Sequence, residues 1–262
     1  ASDRGLAQGF ESFQQQPSPG SAAADWMAAH AEEDFLLLIA GWSNLALEQV
    51  SELLAGSGRP EGFEQRVQEV LASRGTADPI AFEEPDLEWA RTWYAARVQV
   101  IDALLDSFMT AFRAAGLDRR ATLVVLGSTG FALQEHGDLL GESLYTPVSR
   151  VPLLIRYPGG GAVQTVSKVV EVVDLMPTLL ELAGQPLPAG LQGASLLPVI
   201  AGGGQPPYVA FAESPQAGGQ RLVALGGMAL VSGPGGAGAE LYDLAADPLQ
   251  QHDLAAAQAD KL

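Results

Sequence analysis

The apolar run Phe35-Leu36-Leu37-Leu38-Ile39-Ala40 sits between Glu32-Glu33-Asp34 and Gly41. A short, continuous apolar run between turn signals predicts a strand covered on both faces, in a central position of a parallel sheet. Helical spacing follows: apolar residues recur from Leu45 to Leu54, and again at Phe63, Val67, Val70 and Leu71 before Gly75. The strongest periodicity runs from Asp86 to Ala115, where Trp89, Trp93, Ala96, Val100, Leu104, Phe108 and Phe112 recur at three and four residues. That spacing, with acidic residues in the first turn, predicts one long amphipathic helix closed by Gly116. Ala121 to Leu126 then reads as a second buried strand, and Val151 to Tyr157 and Val166 to Val173 as two more. Asp174 is placed to start a helix that carries Pro177 in its first turns and stops at Gly184.

Beyond Leu196 the pattern changes. Short alternating pieces at Tyr208 to Ala212, Arg221 to Leu225 and Met228 to Val231 lie between Gly and Pro clusters, as in a small antiparallel sheet. Gly233 to Gly238 reads as a hairpin loop. Helices alternating with buried strands give an α/β class for the rest.

Composition narrows the partners. Fourteen basic residues face thirty-one acidic ones, a formal charge of −17, which argues against a nucleic-acid or anionic-membrane partner and leaves a protein partner, a basic one included. A solubilising acidic surface is the commoner reason for such a charge. No cysteine is present, so disulfides, thiolate metal sites and cysteine nucleophiles are excluded. No run approaches the roughly 20 apolar residues of a membrane span, and Ala1 to Gly20 does not read as a signal peptide.

Several passages form an ordered set: Arg4-Gly5-Leu6-Ala7-Gln8-Gly9-Phe10-Glu11, the helix over Tyr94 to Gly116, Thr122 to Leu126, Glu135-His136-Gly137, Leu144-Tyr145 and Arg150 to Gly159. Val173 to Gly184, Leu191 to Pro198, Glu240-Leu241-Tyr242-Asp243-Leu244, Asp247-Pro248 and Asp253-Leu254-Ala255 continue it. Taken in order, these passages resemble the sulfatase family of the alkaline phosphatase superfamily. The resemblance implies a mostly parallel sheet flanked by helices, with a small C-terminal antiparallel sheet subdomain. On this reading 1–200 is the C-terminal part of the sulfatase-like α/β domain, without its first strands and nucleophile segment, and 201–262 is the small subdomain packed on it.

What the resemblance implies chemically is a formylglycine made from Cys or Ser in a C/S-x-P-x-R motif, beside a divalent cation. Such a cation needs several hard oxygen ligands converging on one point. Aligned from Glu135-His136-Gly137, the family's Asp and His positions fall on Ser128 and Thr129, and its anion-gripping lysine falls on Gly141. Where family members supply a further histidine, this chain has Gly41-Trp42-Ser43-Asn44, and neither S-x-P-x-R nor paired Asp occurs. Ser128, Thr129, His136 and Gly141 are therefore read as vestigial positions, with no catalytic residue, no metal ligand and no cofactor. An alternative makes Ser128 a new nucleophile with His136 as its base. His30 and His252 have no second ligand at metal spacing, and Trp89 and Trp93 read as core packing.

The expected function is that of a non-catalytic sulfatase-like protein. It would act as a structural or accessory subunit of a larger extracytoplasmic assembly, its location resting on the resemblance alone. The expected partner is a protein, basic or belonging to a membrane-associated complex. The alternative is one part of an active metal-dependent sulfate or phosphate ester hydrolase, whose nucleophile and remaining ligands lie in an N-terminal portion outside this sequence.

Overall fold

A computed structural model describes residues 11, 19–40, 47–73, 80–138, 141, 143–203, 209–215 and 218–258. The Arg4–Phe10 passage, Gly41–Asn44, Leu45, Gly75 and Tyr208 lie outside the described residues. The chain divides into two compact units, Ala1–Val124 with Leu154–Gly161, and Val125–Leu153 with Ala162–Leu262.

The first unit is built on one helix. Four helices precede its strands: α1 (Pro19–His30), α2 (Leu47–Leu53), α3 (Phe63–Ala72) and α4 (Glu84–Ala114). Pro85 suits the first turn of α4, Glu84 and Asp86 complement the exposed N–H groups there, and Arg113 does the same for the carbonyl end. Gly116, at φ +71°, turns the chain after Ala115 into a short 3-10 turn over Leu117–Arg119. Ala96, Val100, Phe108 and Phe112 form the buried stripe of α4. Its first part packs against Val50, with Leu54, Trp93 and Leu104 alongside. Its last part packs against Ala23 and Met27 of α1 and against Leu117. At the start of α4, Asp86 is 2% exposed and holds Arg66 of α3 in a two-pronged ion pair, Nε to Oδ2 at 2.6 Å and Nη2 to Oδ1 at 2.5 Å. That hydrogen bond, with the charges of Asp86, Glu83 and Glu69, raises the Arg66 pKa against the opposing effect of burial.

Phe35 to Ala40 departs from the expected central strand. Burial alternates along it, which is the period of an extended chain: Phe35, Leu37 and Ile39 pack on the α1–α4 core, while Leu36 and Leu38 are 67% and 69% exposed. It joins no sheet among the described residues, so one face stays open where the sequence predicts two covered ones. β1 (Leu123–Leu126) and β2 (Leu153–Arg156) pair in a two-stranded sheet.

The second unit contains α5 (Thr146–Ser149), α6 (Leu175–Leu182), α7 (Leu197–Ile200) and a four-stranded antiparallel meander. Its strands are β3 (Val209–Ser214), β4 (Gln220–Leu225), β5 (Met228–Ser232) and β6 (Glu240–Asp243). The register pairs Ala212 with Leu222, Leu222 with Val231, and Ala229 with Tyr242. Those four strands therefore place Ala212, Leu222, Ala229, Val231 and Tyr242 on one face, where they pack with Leu144 and Tyr145. The C-terminal segment covers the β6 edge: Leu241 N–H donates to Asp253 Oδ1 at 3.0 Å, and Leu254 N–H to the Leu241 carbonyl at 2.7 Å. At the opposite edge Phe211 N–H donates to Glu171 Oε1 at 2.7 Å.

The strand expected over Val166–Val173 is not formed. Val163, Val166 and Val172 are 100%, 39% and 50% exposed, so their apolar side chains find no covering surface. A reciprocal capping box of Glu171 and Asp174 instead bends Val172–Asp174 into a 3-10 turn leading into α6. Asp174 Oδ1 also accepts Ala194 N–H at 2.8 Å, and the fully buried Thr178 hydroxyl donates to the Asp174 carbonyl and accepts from Leu196 N–H.

Phe112→Ala is expected to lower stability by about 3–5 kcal/mol, because Phe112 is 3% exposed and fills the α1–α4 core. Phe211→Ala, at a 55% exposed site, is expected to change it by about 0.5 kcal/mol or less, and urea denaturation of the two variants reads the difference.

Candidate functional site

Gly127–Gly130 is a loop fixed at both ends. Gly127 N–H donates to the Pro152 carbonyl at 3.0 Å, and Gly130 N–H to the Val148 carbonyl at 2.8 Å. A Cβ built on Gly130 would lie 1.9 Å from the Pro147 carbonyl oxygen, so only glycine fits that approach. Between them Ser128 and Thr129 are exposed, and Thr129 Oγ1 makes a 3.3 Å contact with the Gly130 carbonyl.

Residues 133–138, with Gly141 and Ser143, are held by local hydrogen bonds. Gln134 and His136 both have positive φ, +77° and +52°. The Glu135 carboxylate accepts Leu133 N–H, and the buried Asp138 carboxylate accepts Gly141 N–H at 3.2 Å and Ser143 N–H at 2.8 Å. Gly141 itself has φ +83°, and a Cβ there would stand 3.0 Å from the Gly130 carbonyl. Position 141 thus has a backbone geometry that favours glycine.

His136 is held rather than poised. Its Nε2 lies 3.1 Å from the Leu249 carbonyl, which fixes that nitrogen as the donor. The ring stacks on Tyr145 with centroids 3.6 Å apart and meets the edge of Tyr242. Both phenols converge on Glu240: Tyr145 and Tyr242 donate to the same oxygen, Oε2, at 2.6 and 2.8 Å. Burial, followed by that hydrogen bond and the negative charge of Glu240, pushes both phenol pKa values well above the ordinary tyrosine range. Leu144 N–H donates to Gln220 Oε1 at 2.6 Å, and Gln250, 1% exposed, accepts from Thr146 N–H at 2.5 Å and from its hydroxyl at 2.8 Å.

These groups do not suit a divalent cation. The two exposed side chains in the loop are neutral hydroxyls, weak ligands for a hard dication, and the nearby carboxylates and imidazole are occupied with backbone groups. Among the described residues no three His, Asp or Glu side chains gather as a metal site. Among the described residues no hydrogen bond joins Ser128 to His136, whose Nε2 faces the Leu249 carbonyl. His30 is likewise engaged, Nδ1 lying 2.8 Å from the Trp26 carbonyl with the two rings stacked. Sequence reasoning missed Asp138, Gln220, Glu240 and Gln250, whose roles depend on partners up to 104 residues away.

The neutral phenols carry stability that is complete below pH about 10, where an unfolded tyrosine ionises, and is lost as the pH rises from there toward the folded values. Chemical denaturation between pH 7 and 11.5 is expected to show this alkaline loss, reduced in Tyr145→Phe and Tyr242→Phe. At neutral pH Tyr145→Phe is expected to cost about 1.5–3 kcal/mol, the range for a hydrogen bond to a charged group. Gly130→Ala is expected to lower the denaturation midpoint, since the Pro147 carbonyl must move to admit a methyl group.

Comparison with known proteins agrees with this framework. The profile of the family described as N-sulphoglucosamine sulphohydrolase, C-terminal, matches residues 134–210. Arylsulfatase K of Bos taurus is 39% identical over 117 residues, covering 45% of this chain and 22% of the bovine protein. Arylsulfatase K of Homo sapiens is 35% identical over 118 residues, again covering 45% of this chain and 22% of the relative. The matched stretch thus spans about a fifth of these relatives' length. In three dimensions, the sulfatase yidJ of Bacteroides fragilis superposes with a TM-score of 0.72 at 18% identity, over 95% of this chain and 56% of that one. The phosphonate monoester hydrolase of Agrobacterium radiobacter gives 0.58 at 24% identity, over 68% and 39%. The profile match over residues 134–210, the relatives and the fold together show a chain similar to sulfatases, one that fits the C-terminal half of that family.

Proposed function

We propose that this chain is a non-catalytic member of that family, a structural or accessory component of an extracytoplasmic assembly that engages a protein partner. The observation that carries the reading is the Gly127–Gly130 loop. Hydroxyls stand where the family's Asp and His align, and the close approach of Pro147 to Gly130 shapes the loop around glycine. Losing ionic groups from a transition-state clamp costs several kcal/mol for each contact, roughly 3–4 in oxyanion-type sites. Gly141 adds to this, because its φ of +83° accommodates a lysine only with strain. On this reading Ser128, Thr129, His136 and Gly141 are vestigial positions in a scaffold. The 1–200 portion belongs to a mostly parallel α/β domain, and 201–262 forms its small antiparallel subdomain.

A second reading is favoured by the relatives' names and by the share of them that is matched. Arylsulfatase K is named as a sulfatase, and 22% of its length corresponds to this chain. In that reading the chain is one part of a sulfate or phosphate ester hydrolase whose nucleophile and other metal ligands come from elsewhere.

Calorimetric titration with calcium and manganese, with and without an aryl sulfate or a phosphate monoester, separates the two. The expected outcome is no stoichiometric binding and no turnover above buffer. One-to-one binding of either cation with ester turnover, lost in Ser128→Ala, overturns the non-catalytic reading.

A further inference from the structure

The C-terminal segment reaches back onto the start of α5 through two neighbouring residues. Thr146 opens that helix after Tyr145, whose phenol is turned to Glu240 and supplies no side-chain cap. The orphan N–H of Thr146 is met instead by Gln250 Oε1 at 2.5 Å, which also accepts the Thr146 hydroxyl at 2.8 Å. One residue earlier, the Leu249 carbonyl faces His136 Nε2 at 3.1 Å. Gln250 is 1% exposed and sits at φ +58°, a left-handed backbone that a residue with a side chain keeps only when its surroundings impose it. Those surroundings are a turn closed on Asp247: Gln250 N–H donates to the Asp247 carbonyl at 3.0 Å, and His252 N–H to Asp247 Oδ2 at 2.7 Å. Asp253 and Leu254 then fasten the turn to Leu241 of β6. On its other side α5 presses on the Gly127–Gly130 loop. The Val148 carbonyl accepts Gly130 N–H at 2.8 Å, and the Pro147 carbonyl leaves no room for a Cβ at Gly130.

We propose that residues 247–254 are a latch: through Gln250 and α5 they set the Gly127–Gly130 loop, and opening of the turn releases that loop. The contacts are continuous, from Asp247 to Gln250, to Thr146, along one helical turn to Pro147 and Val148, and onto Gly130. A helix of four residues does not hold its shape without tertiary partners, so the first N–H of α5 is where the latch acts. Ser128 and Thr129, exposed between the two glycines, are carried by the end of the loop that α5 fixes. Gln250 and Asp247 are thus positioning residues for that loop, and Gln250 stands 104 residues along the chain from the Thr146 it holds. The proposal concerns how the loop is held, whatever it binds. It therefore stands apart from the non-catalytic reading, and its test reads exchange alone.

Hydrogen exchange of the full chain, followed residue by residue by NMR under native conditions, reads the latch directly. In the unaltered chain the amides of Gly130, Thr146 and Leu254 are expected to exchange through one shared opening, faster than those of β4 and β5. Gln250→Met keeps the side-chain length and removes the acceptor. It is expected to speed exchange at Thr146 and Gly130 about tenfold or more, while the β4 and β5 amides change by about twofold or less. Asp247→Ala, at a side chain 15% exposed, is expected to do the same without touching Thr146 or Gly130, and carries the test alone where the buried variant does not fold. Asp247→Asn keeps an oxygen that accepts His252 N–H and is expected to restore most of the protection. A uniform rise across the loop and both strands makes 247–254 a general support of the sheet and overturns the proposal. Unchanged exchange at Gly130 when Thr146 has lost its protection also overturns it, since α5 then does not carry the opening to the loop.

Discussion

One carboxylate oxygen organises the second unit. Glu240 Oε2 receives both the Tyr145 and Tyr242 hydroxyls, one from the chain segment around the aligned site and one from its own strand. Hydrogen bonds to an ionised acceptor are stronger than neutral ones, and burial of the rings lowers the local dielectric that would weaken them. With Tyr145 fixed, its ring becomes a platform for His136, and Leu144 beside it reaches Gln220 on β4 and joins the sheet core. His136, Leu144, Tyr145 and Thr146 are therefore placed by the residues of the sheet and the C-terminal segment as much as by their own sequence.

That dependence explains what could be read in advance. The α4 stripe, the antiparallel pieces at Gln220–Leu225 and Met228–Ser232, and the helix from Leu175 follow from local periodicity and turn residues, and the structure contains them. Val166–Val173 has the composition of a strand, but a capping box between Glu171 and Asp174 wins over β propensity where no neighbouring strand is on offer. Phe35–Ala40 reads as doubly covered because a run of six apolar residues carries no information about which face finds a neighbour. Motif spacing draws attention to Ser128, Thr129, His136 and Gly141 but not to what surrounds them: Glu240, Gln250 and Asp138 are ordinary polar letters until the chain folds back upon them.

Residues within the passages that carry the likeness differ in how they are held. Asp174 ties the start of α6 to the Ala194 loop, Gly193 passes so near the Val173 carbonyl that a Cβ would lie 2.6 Å from it, and Tyr145 meets Glu240. Ser128 and Thr129 are exposed, and Thr129 Oγ1 contacts the carbonyl of the next residue. Backbone and packing demands thus fix one set of residues tightly and leave another set to solvent.

The two glycines around the loop also limit what the chain can become. Placing a lysine at position 141 demands a left-handed backbone for a long side chain whose Cβ would press on the Gly130 carbonyl, and any side chain at 130 collides with Pro147. A substitution at either position therefore meets a main chain laid out for glycine, and the loop has to re-route its backbone before it can carry a larger side chain there.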